Sequence, residues 1–250
     1  MKTEQIEENK DQILVFDLEM AGERLSYMDP DTFQYMTRRV EAEPTDMYYQ
    51  KIINKIDRDT SFSPNTSQIV ALSVYQPLSE KGAVYFQAPD EDIPSWSQDN
   101  ISFKVMDEAQ ILKKFWALAL QSNIFITFGG KVIDLSFLML RSAFLGIKPA
   151  IDLYSLKGPS SGSKSAPIHY DLYELLSNSG KVKNGGLHMW CRSFGIESPK
   201  KYDGAVSGAN LKESFYDKKY KEIALYAASD VVAVYELFKY WQNYLSFGAK

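Results

Sequence analysis

The sequence predicts an α/β domain, a mixed sheet flanked by helices, on three observations. A continuous apolar run, Ile13-Leu14-Val15-Phe16, follows a polar leader and reads as a buried strand. Two more strand patterns, Gln68 to Tyr75 and Ala83 to Ala88, follow before any long helical periodicity, with a turn at Pro77 to Gly82 between them. The C-terminal third is then dominated by helical spacing. Strands, a helix, a strand and then helices is the order of a layered α/β domain.

The elements follow in order. Asp17-Leu18-Glu19 continues the first strand and places two acids at its end. Residues 20–66 lack sheet character and read as a long insertion between the first and second strands, with short helices at Tyr35 to Val40 and Met47 to Ile56. Structureless stretches of this length inside a domain are usually functional or disordered, and this one is placed to act as a lid. Asp90 to Asn100 is polar and Pro-bearing, hence a loop. Asp107 to Gln121 has helical spacing, with Ile111, Leu112, Phe115, Leu118 and Ala119 on one side and Asp107 as its cap. Asn123 to Phe128 is a buried strand broken by Gly129-Gly130. Leu135 to Leu145 is a helix ending at Gly146. Lys157 to Pro167 is a Ser/Gly/Pro loop. Asp171 to Ser177 and Leu187 to Phe194 are short helices, and Glu222 to Tyr244 is the longest helical pattern. No repeat and no linker interrupts the chain, so 1–250 reads as a single domain.

Composition removes several function classes. The 250 residues are 45% hydrophobic and 24% charged, an ordinary globular balance. One cysteine, Cys191, excludes a disulfide framework or a Cys-rich zinc module. Met1 to Gln12 is polar, unlike a signal peptide, and no apolar run approaches the roughly 20 residues of a membrane span. A cytoplasmic location is the expectation, with no membrane contact. The net charge of −4 argues against a protein that coats duplex nucleic acid.

The candidate chemistry lies in five residues. Asp17 and Glu19 are two apart on a strand and point to one face. Tyr226 and Asp230 are four apart on a helix and share a face too. Asp134 follows a strand that can lie beside the first. Clustered carboxylates repel one another unless cations or protons intervene. Hard oxygen donors select Mg²⁺ or Mn²⁺. Two such ions, about 3.5–4 Å apart, would clamp the attacking and leaving oxygens of a phosphodiester. Tyr226 can orient the attacking water. Asp17-Leu18-Glu19 is the only Asp-x-Glu in the sequence. Tyr-x-x-x-Asp occurs also at Tyr27 to Asp31, where Pro30 argues against a regular helix.

These stretches resemble the three exonuclease motifs of DnaQ-like proteins, the DEDD superfamily. Phe16-Asp17-Leu18-Glu19-Met20 is similar to the first and Thr127-Phe128-Gly129-Gly130-Lys131-Val132-Ile133-Asp134 to the second. Tyr226-Ala227-Ala228-Ser229-Asp230 is similar to the third, in its tyrosine form. The closest likeness is to predicted 3′-5′ exonucleases related to the proofreading domain of family-B DNA polymerases. It covers about residues 13–240 and weakens in the insertion. His169-Tyr170-Asp171-Leu172, Gly195-Ile196 and Asp203-Gly204 fit the same group.

The resemblance implies a ribonuclease-H-like fold, two divalent ions (Mg²⁺ or Mn²⁺), and release of nucleoside monophosphates from a nucleic-acid 3′ end. Asp17 would bridge both ions. Glu19 and Asp230 would complete one site, Asp134 would act at the other, and Tyr226 would position the water. Leu18, Met20, Gly129 and Phe137 would contact the substrate. Two departures bear on that contact: Met20 stands where the family usually has Thr, and Gly129-Gly130 where it usually has Asn-Gly.

Each residue also has an ordinary reading. Asp17 and Glu19 can be a solvated pair, Asp134 a helix N-cap, Tyr226 a core tyrosine and Asp230 an exposed helical acid. His169 and His188, the only histidines, read as structural or surface residues, since no Gly-x-Ser-x-Gly elbow accompanies them. Lys200-Lys201, Lys181, Lys183, Lys218, Lys219, Lys221 and Arg38-Arg39 can meet phosphates, and Tyr48-Tyr49 and Phe62 can stack on bases. The function expected is a 3′-5′ exonuclease on single-stranded DNA. An exoribonuclease on the same site, an endonuclease, and a non-catalytic binding module are the alternatives.

Overall fold

Alternation along the first strand, β1 (Ile13–Gly22), builds both layers of the molecule. Leu14, Phe16 and Leu18 enter one apolar layer, and Ile13, Val15 and Ala21 enter the other. A strand buried on both faces is what a sheet sandwiched between helices requires. The computed structural model describes residues 13–40, 44, 46–159, 167–183, 186–197 and 206–246. Its remaining strands are β2 (Ser67–Gln76), β3 (Lys81–Phe86), β4 (Trp96–Gln98), β5 (Ile101–Val105), β6 (Ile124–Thr127) and β7 (Ile168–Asp171). They form one sheet in the order β4-β5-β3-β2-β1-β6-β7. The pairs β1–β2, β2–β3 and β4–β5 are antiparallel, whereas β3–β5, β1–β6 and β6–β7 are parallel. This mixed sheet with helices on both faces is a ribonuclease-H-like fold.

The helices are α1 (Pro30–Thr37), α2 (Met47–Asp59), α3 (Glu108–Ala119), α4 (Asp134–Phe144), α5 (Leu172–Leu176), α6 (Leu187–Phe194), α7 (Leu211–Tyr216) and α8 (Tyr220–Tyr244). On one face, α3 and α4 supply Ile111, Leu112, Phe115, Leu135, Phe137 and Leu138 to the layer beneath β1. Phe16 meets Phe115 edge-on there at 5.2 Å. Truncating a buried ring of this kind costs about 3–5 kcal/mol. Arg141 forks onto Glu108 at 2.8 and 2.7 Å, and Glu108 Oε1 also accepts from Ile69 N–H at 2.8 Å. One bidentate pair thereby ties α3, α4 and β2 together. On the other face α8 lies across the sheet, with Ala224, Ala227 and Ala228 over β2 and β3, and Val231, Val234 and Leu237 over Ile13, Val15 and Ile126.

The structure agrees with the expected helix at Asp107, where a capping box with Gln110 starts α3. It corrects several other expectations. The loop expected over Asp90 to Asn100 contains β4, and β5 follows it. Asp99 and Asn100 have φ of 49° and 63°, the positive angles of a two-residue hairpin. Trp96 stacks on its cross-strand partner Phe103 at 4.5 Å. The strand β7 and the helix α7 were not expected. The helix expected at Tyr35 to Val40 starts earlier, at Pro30, because Asp29 caps it and proline suits a first turn. Tyr27 therefore lies outside that helix. Residues 160–166 of the expected 157–167 loop, with Lys200, Lys201, Asp203 and Gly204, lie outside the described residues.

Candidate active site

Asp17 and Glu19 occupy the β1 column that faces α8, between Val15 and Ala21. Apolar residues fill the rest of that column, so two acids there interrupt a buried seam. The β1–β2 register shifts at this level: Glu19 pairs with Ala71 and Met20 with Ile69. Val70 and Ala71 consequently both lie in the layer under α8, as a bulge requires. Ser73, opposite Asp17, donates its hydroxyl to the Asp17 carbonyl at 3.3 Å. From α8, the buried Asp230 comes down to the pair. One carboxylate oxygen from each of Asp17, Glu19 and Asp230 lies within 4.8 Å of the others. Glu19 and Asp230 are buried and Asp17 is half-buried.

Tyr226, one turn before Asp230, is half-buried and packs at the edge of the same layer. Burial first, then Glu19, Asp230 and Asp17, hold its phenol well above the ordinary tyrosine range. The phenol thus senses all three acids and keeps its proton. Burial also pushes the nearby Cys191 thiol up to about 11, with Asp230 adding to it, so the thiol is unreactive.

Asp134 stands apart. The β1–β6 register ends at Val15 opposite Ile126, which brings the turn after Thr127 level with the acids of β1. The carboxyl of Asp134 is nevertheless not in the group of three found among the described residues. It is not a cap either: Ile133 is the N-cap of α4 and no side chain bonds there, which corrects the ordinary reading of Asp134. Burial first, and then Asp171, push its carboxyl up to about 7. Gly130 lies against it, since a Cβ there would stand 2.8 Å from Asp134 Oδ2 and 2.7 Å from Thr127 Oγ1. Gly129 has φ +80°, a conformation that excludes most side chains.

His169 is buried as well, with Nε2 at 2.8 Å from Thr127 Oγ1, and burial lowers its pKa to about 4. The structural reading of this histidine is therefore the one its surroundings support. His188 is half-buried on α6.

The residues expected to contact substrate divide. Leu18 and Phe137 are 4% and 1% exposed, inside the layer under α3 and α4. Alternation turns Leu18 away from its acidic neighbours, so both side chains pack in the core and only their backbones could face a substrate. Met20 packs partly against that layer too, while Gly129 lies in the turn before Asp134. In the segment between β1 and β2, neither α1 nor α2 has a buried residue, and Tyr48 and Phe62 are exposed. Its roots are anchored. The buried Lys212 ammonium donates to Asp57 Oδ2 at 2.7 Å, Asp57 O at 2.6 Å, and to Glu23 O and Thr60 Oγ1 at 3.2 Å.

Sequence reasoning gave Asp171 no bonding role beyond the start of a short helix, and did not single out Lys212. The carboxylate of Asp171 accepts four backbone N–H bonds, from Gly129, Lys131, Tyr173 and Glu174. An acid opening a helical pattern signalled the cap in Asp171 but not its reach to another element. Nothing in the pattern around Lys212 signals a buried ammonium.

Residues 90–246 match the family described as predicted 3′-5′ exonuclease related to the exonuclease domain of PolB. That span carries Asp134, Tyr226 and Asp230. No curated protein matches the chain. The family B DNA polymerase from the hyperthermophilic archaeon Pyrobaculum calidifontis is similar in structure, with a TM-score of 0.56 and 15% identity, over 93% of this chain and 25% of that one. The chain thus spans about a quarter of that polymerase, and the likeness is one of fold. Among the described residues no helix is long and apolar enough to cross a membrane.

Proposed function

This chain belongs to the family of predicted 3′-5′ exonucleases related to the exonuclease domain of PolB, and on that premise we propose that it hydrolyses the last phosphodiester at the 3′ end of a single DNA strand. The observation that carries the reading is the group of three carboxylates that β1 and α8 bring together inside an otherwise apolar seam.

The donor set fits a divalent cation. All three ligands are hard oxygens, and their mutual repulsion in a partly buried site favours a cation over none. Asp17, Glu19 and Asp230 would hold one ion. Asp134, buried nearby but outside the group, would serve a second, shared with Asp17. When bound, such ions supply positive charge for the phosphate oxygens and make water a better nucleophile. The chain's own residues do the rest. Tyr226 keeps its O–H, because burial disfavours the phenolate whatever charge the acids carry, and so it donates a hydrogen bond that orients water or phosphate. The buried apolar neighbours of the acids, among them Val15, Ala227 and Val231, limit water on the side of the helix and leave Asp17 open to solvent. Water adds to phosphorus, the bond to the 3′ oxygen breaks, and that oxygen takes up the proton. The products are a nucleoside monophosphate and a strand shorter by one.

The test is digestion of a 5′-labelled single-stranded DNA oligonucleotide, with RNA of the same sequence in parallel, in Mg²⁺, Mn²⁺ and EDTA. A ladder shortening from the 3′ end, absent in EDTA and in Asp17→Ala, is expected. An intact oligonucleotide under every condition would overturn the reading in favour of a binding module. Faster RNA digestion would overturn the substrate alone.

A further inference from the structure

Asp171 ends β7, and its carboxylate serves two elements at once. Toward its own helix, Oδ1 accepts from Tyr173 N–H at 3.0 Å and Glu174 N–H at 3.3 Å, the bonds of an N-cap. Across the strand pair, Oδ1 accepts from Gly129 N–H at 2.8 Å and Oδ2 from Lys131 N–H at 2.9 Å. A cap requires neither of these last two bonds. They are also the shortest of the four.

The two amides flank Gly130. One carboxylate therefore grips the turn on both sides of the residue that lies against Asp134 Oδ2. The Gly130 carbonyl in turn accepts from Leu135 N–H at 3.0 Å and starts α4. A side chain at position 130 would collide with Thr127 and Asp134, so the contact tolerates glycine alone. Thr127 and Asp171 face each other in the β6–β7 register, and the Thr127–His169 contact fastens that register inside the protein. A rigid path thus runs from Asp171 through Gly130 to the Asp134 carboxyl.

We infer that Asp171 is a positioning residue: by holding the turn Gly129 to Lys131 it sets where Asp134 stands relative to Asp17, Glu19 and Asp230. The inference rests on the exonuclease reading. It assigns Asp171 no contact with substrate.

Two variants separate the cap from the grip. Asp171→Ser keeps a good N-cap for α5 but is too short to span both amides. Asp171→Asn keeps the acceptor at Oδ1 and loses the one facing Lys131. Each is measured by backbone hydrogen exchange and by kcat and KM on a single-stranded DNA oligonucleotide in Mg²⁺. Exchange should rise about tenfold or more at residues 129–135 and stay unchanged in β1 and α8. kcat should fall about 10–100-fold, with KM within about twofold of the unaltered protein. Unchanged exchange at 129–135, or unchanged kcat despite faster exchange, would overturn the inference. So would loss of folding in both variants, since Asp171 would then serve the fold. No turnover in the unaltered protein would sink the exonuclease reading and this inference with it. Turnover there with normal kcat in both variants would sink the inference alone.

Discussion

The acids at the end of β1 and the acids at the end of β6 and β7 lie in one region and are built oppositely. Asp17, Glu19 and Asp230 converge from a strand and a helix, and their oxygens are held close together with Asp17 still reached by solvent. Asp134 and Asp171 are both buried, but the backbone serves only one of them with shown bonds. Four amides satisfy Asp171, while burial disfavours ionisation of Asp134. The first group gathers three hard oxygen donors at one point, the kind of set that suits a divalent cation. In the second, one carboxylate is tied down by four backbone amides and the other lies buried beside the Gly130 turn. Identical side chains thus meet different surroundings, one set gathered oxygen to oxygen and another held by amides or burial.

The largest expected effect separates the two groups by stability and turnover together. Asp230→Asn should reduce turnover at least about 1000-fold and raise the melting temperature of the metal-free protein, by about 2–4 °C per kcal/mol of repulsion relieved. Asp171→Asn should instead lower the melting temperature. Calorimetry in EDTA checks both, and a fall in Asp230→Asn would break the contrast.

The next effect is on pH dependence. The Asp134 carboxyl titrates at about 7 in the fold against 3.8 in an open chain, so its contribution to stability is full below the lower value and is lost as pH rises through the higher. His169 titrates at about 4 in the fold against 6.5, so its contribution is full above 6.5 and is lost as pH falls toward 4. The two oppose each other across one window. Asp134→Asn removes the first and exposes the second. Its metal-free melting temperature should therefore drop more steeply than that of the unaltered protein between pH 6.5 and 4. Parallel curves would mean that Asp134 is ionised in the fold.

The smallest effect concerns Tyr226. Tyr226→Phe should slow turnover about 10–100-fold and leave Mn²⁺ affinity, read by calorimetry, within about threefold. Normal turnover would remove the water-orienting role.

Much of this arrangement was legible in the sequence, for identifiable reasons. Asp17 and Glu19 stood out because strand alternation fixes their common face, and Tyr226 and Asp230 because helical spacing fixes theirs. Both are local rules, and the structure obeys them. The hairpin at Asp99-Asn100 was legible in principle, since Ile101, Ser102, Phe103 and Lys104 alternate buried and exposed, but the polar stretch before it masked the signal. Asp171 and Lys212 were not legible. Their partners lie 40 and 155 positions away, and no periodicity links residues across such distances. The burial of the Leu18 and Phe137 side chains was not legible, because proximity to a motif in sequence says nothing about which layer a side chain enters.

The clasp on Lys212 has a consequence in time. Its bonds reach back 155 positions to Asp57 and 189 to Glu23, and contacts of such separation form late in folding. At about 5–20 residues per second on a ribosome, the early segment waits roughly 10–30 seconds for this lysine, and the acids of β1 wait longer for Asp230. A growing polypeptide therefore carries Asp17 and Glu19 without their third partner until residue 230 has been made. Synthesis interrupted before α8 would leave that group of carboxylates incomplete, so the site is assembled only once this helix has emerged.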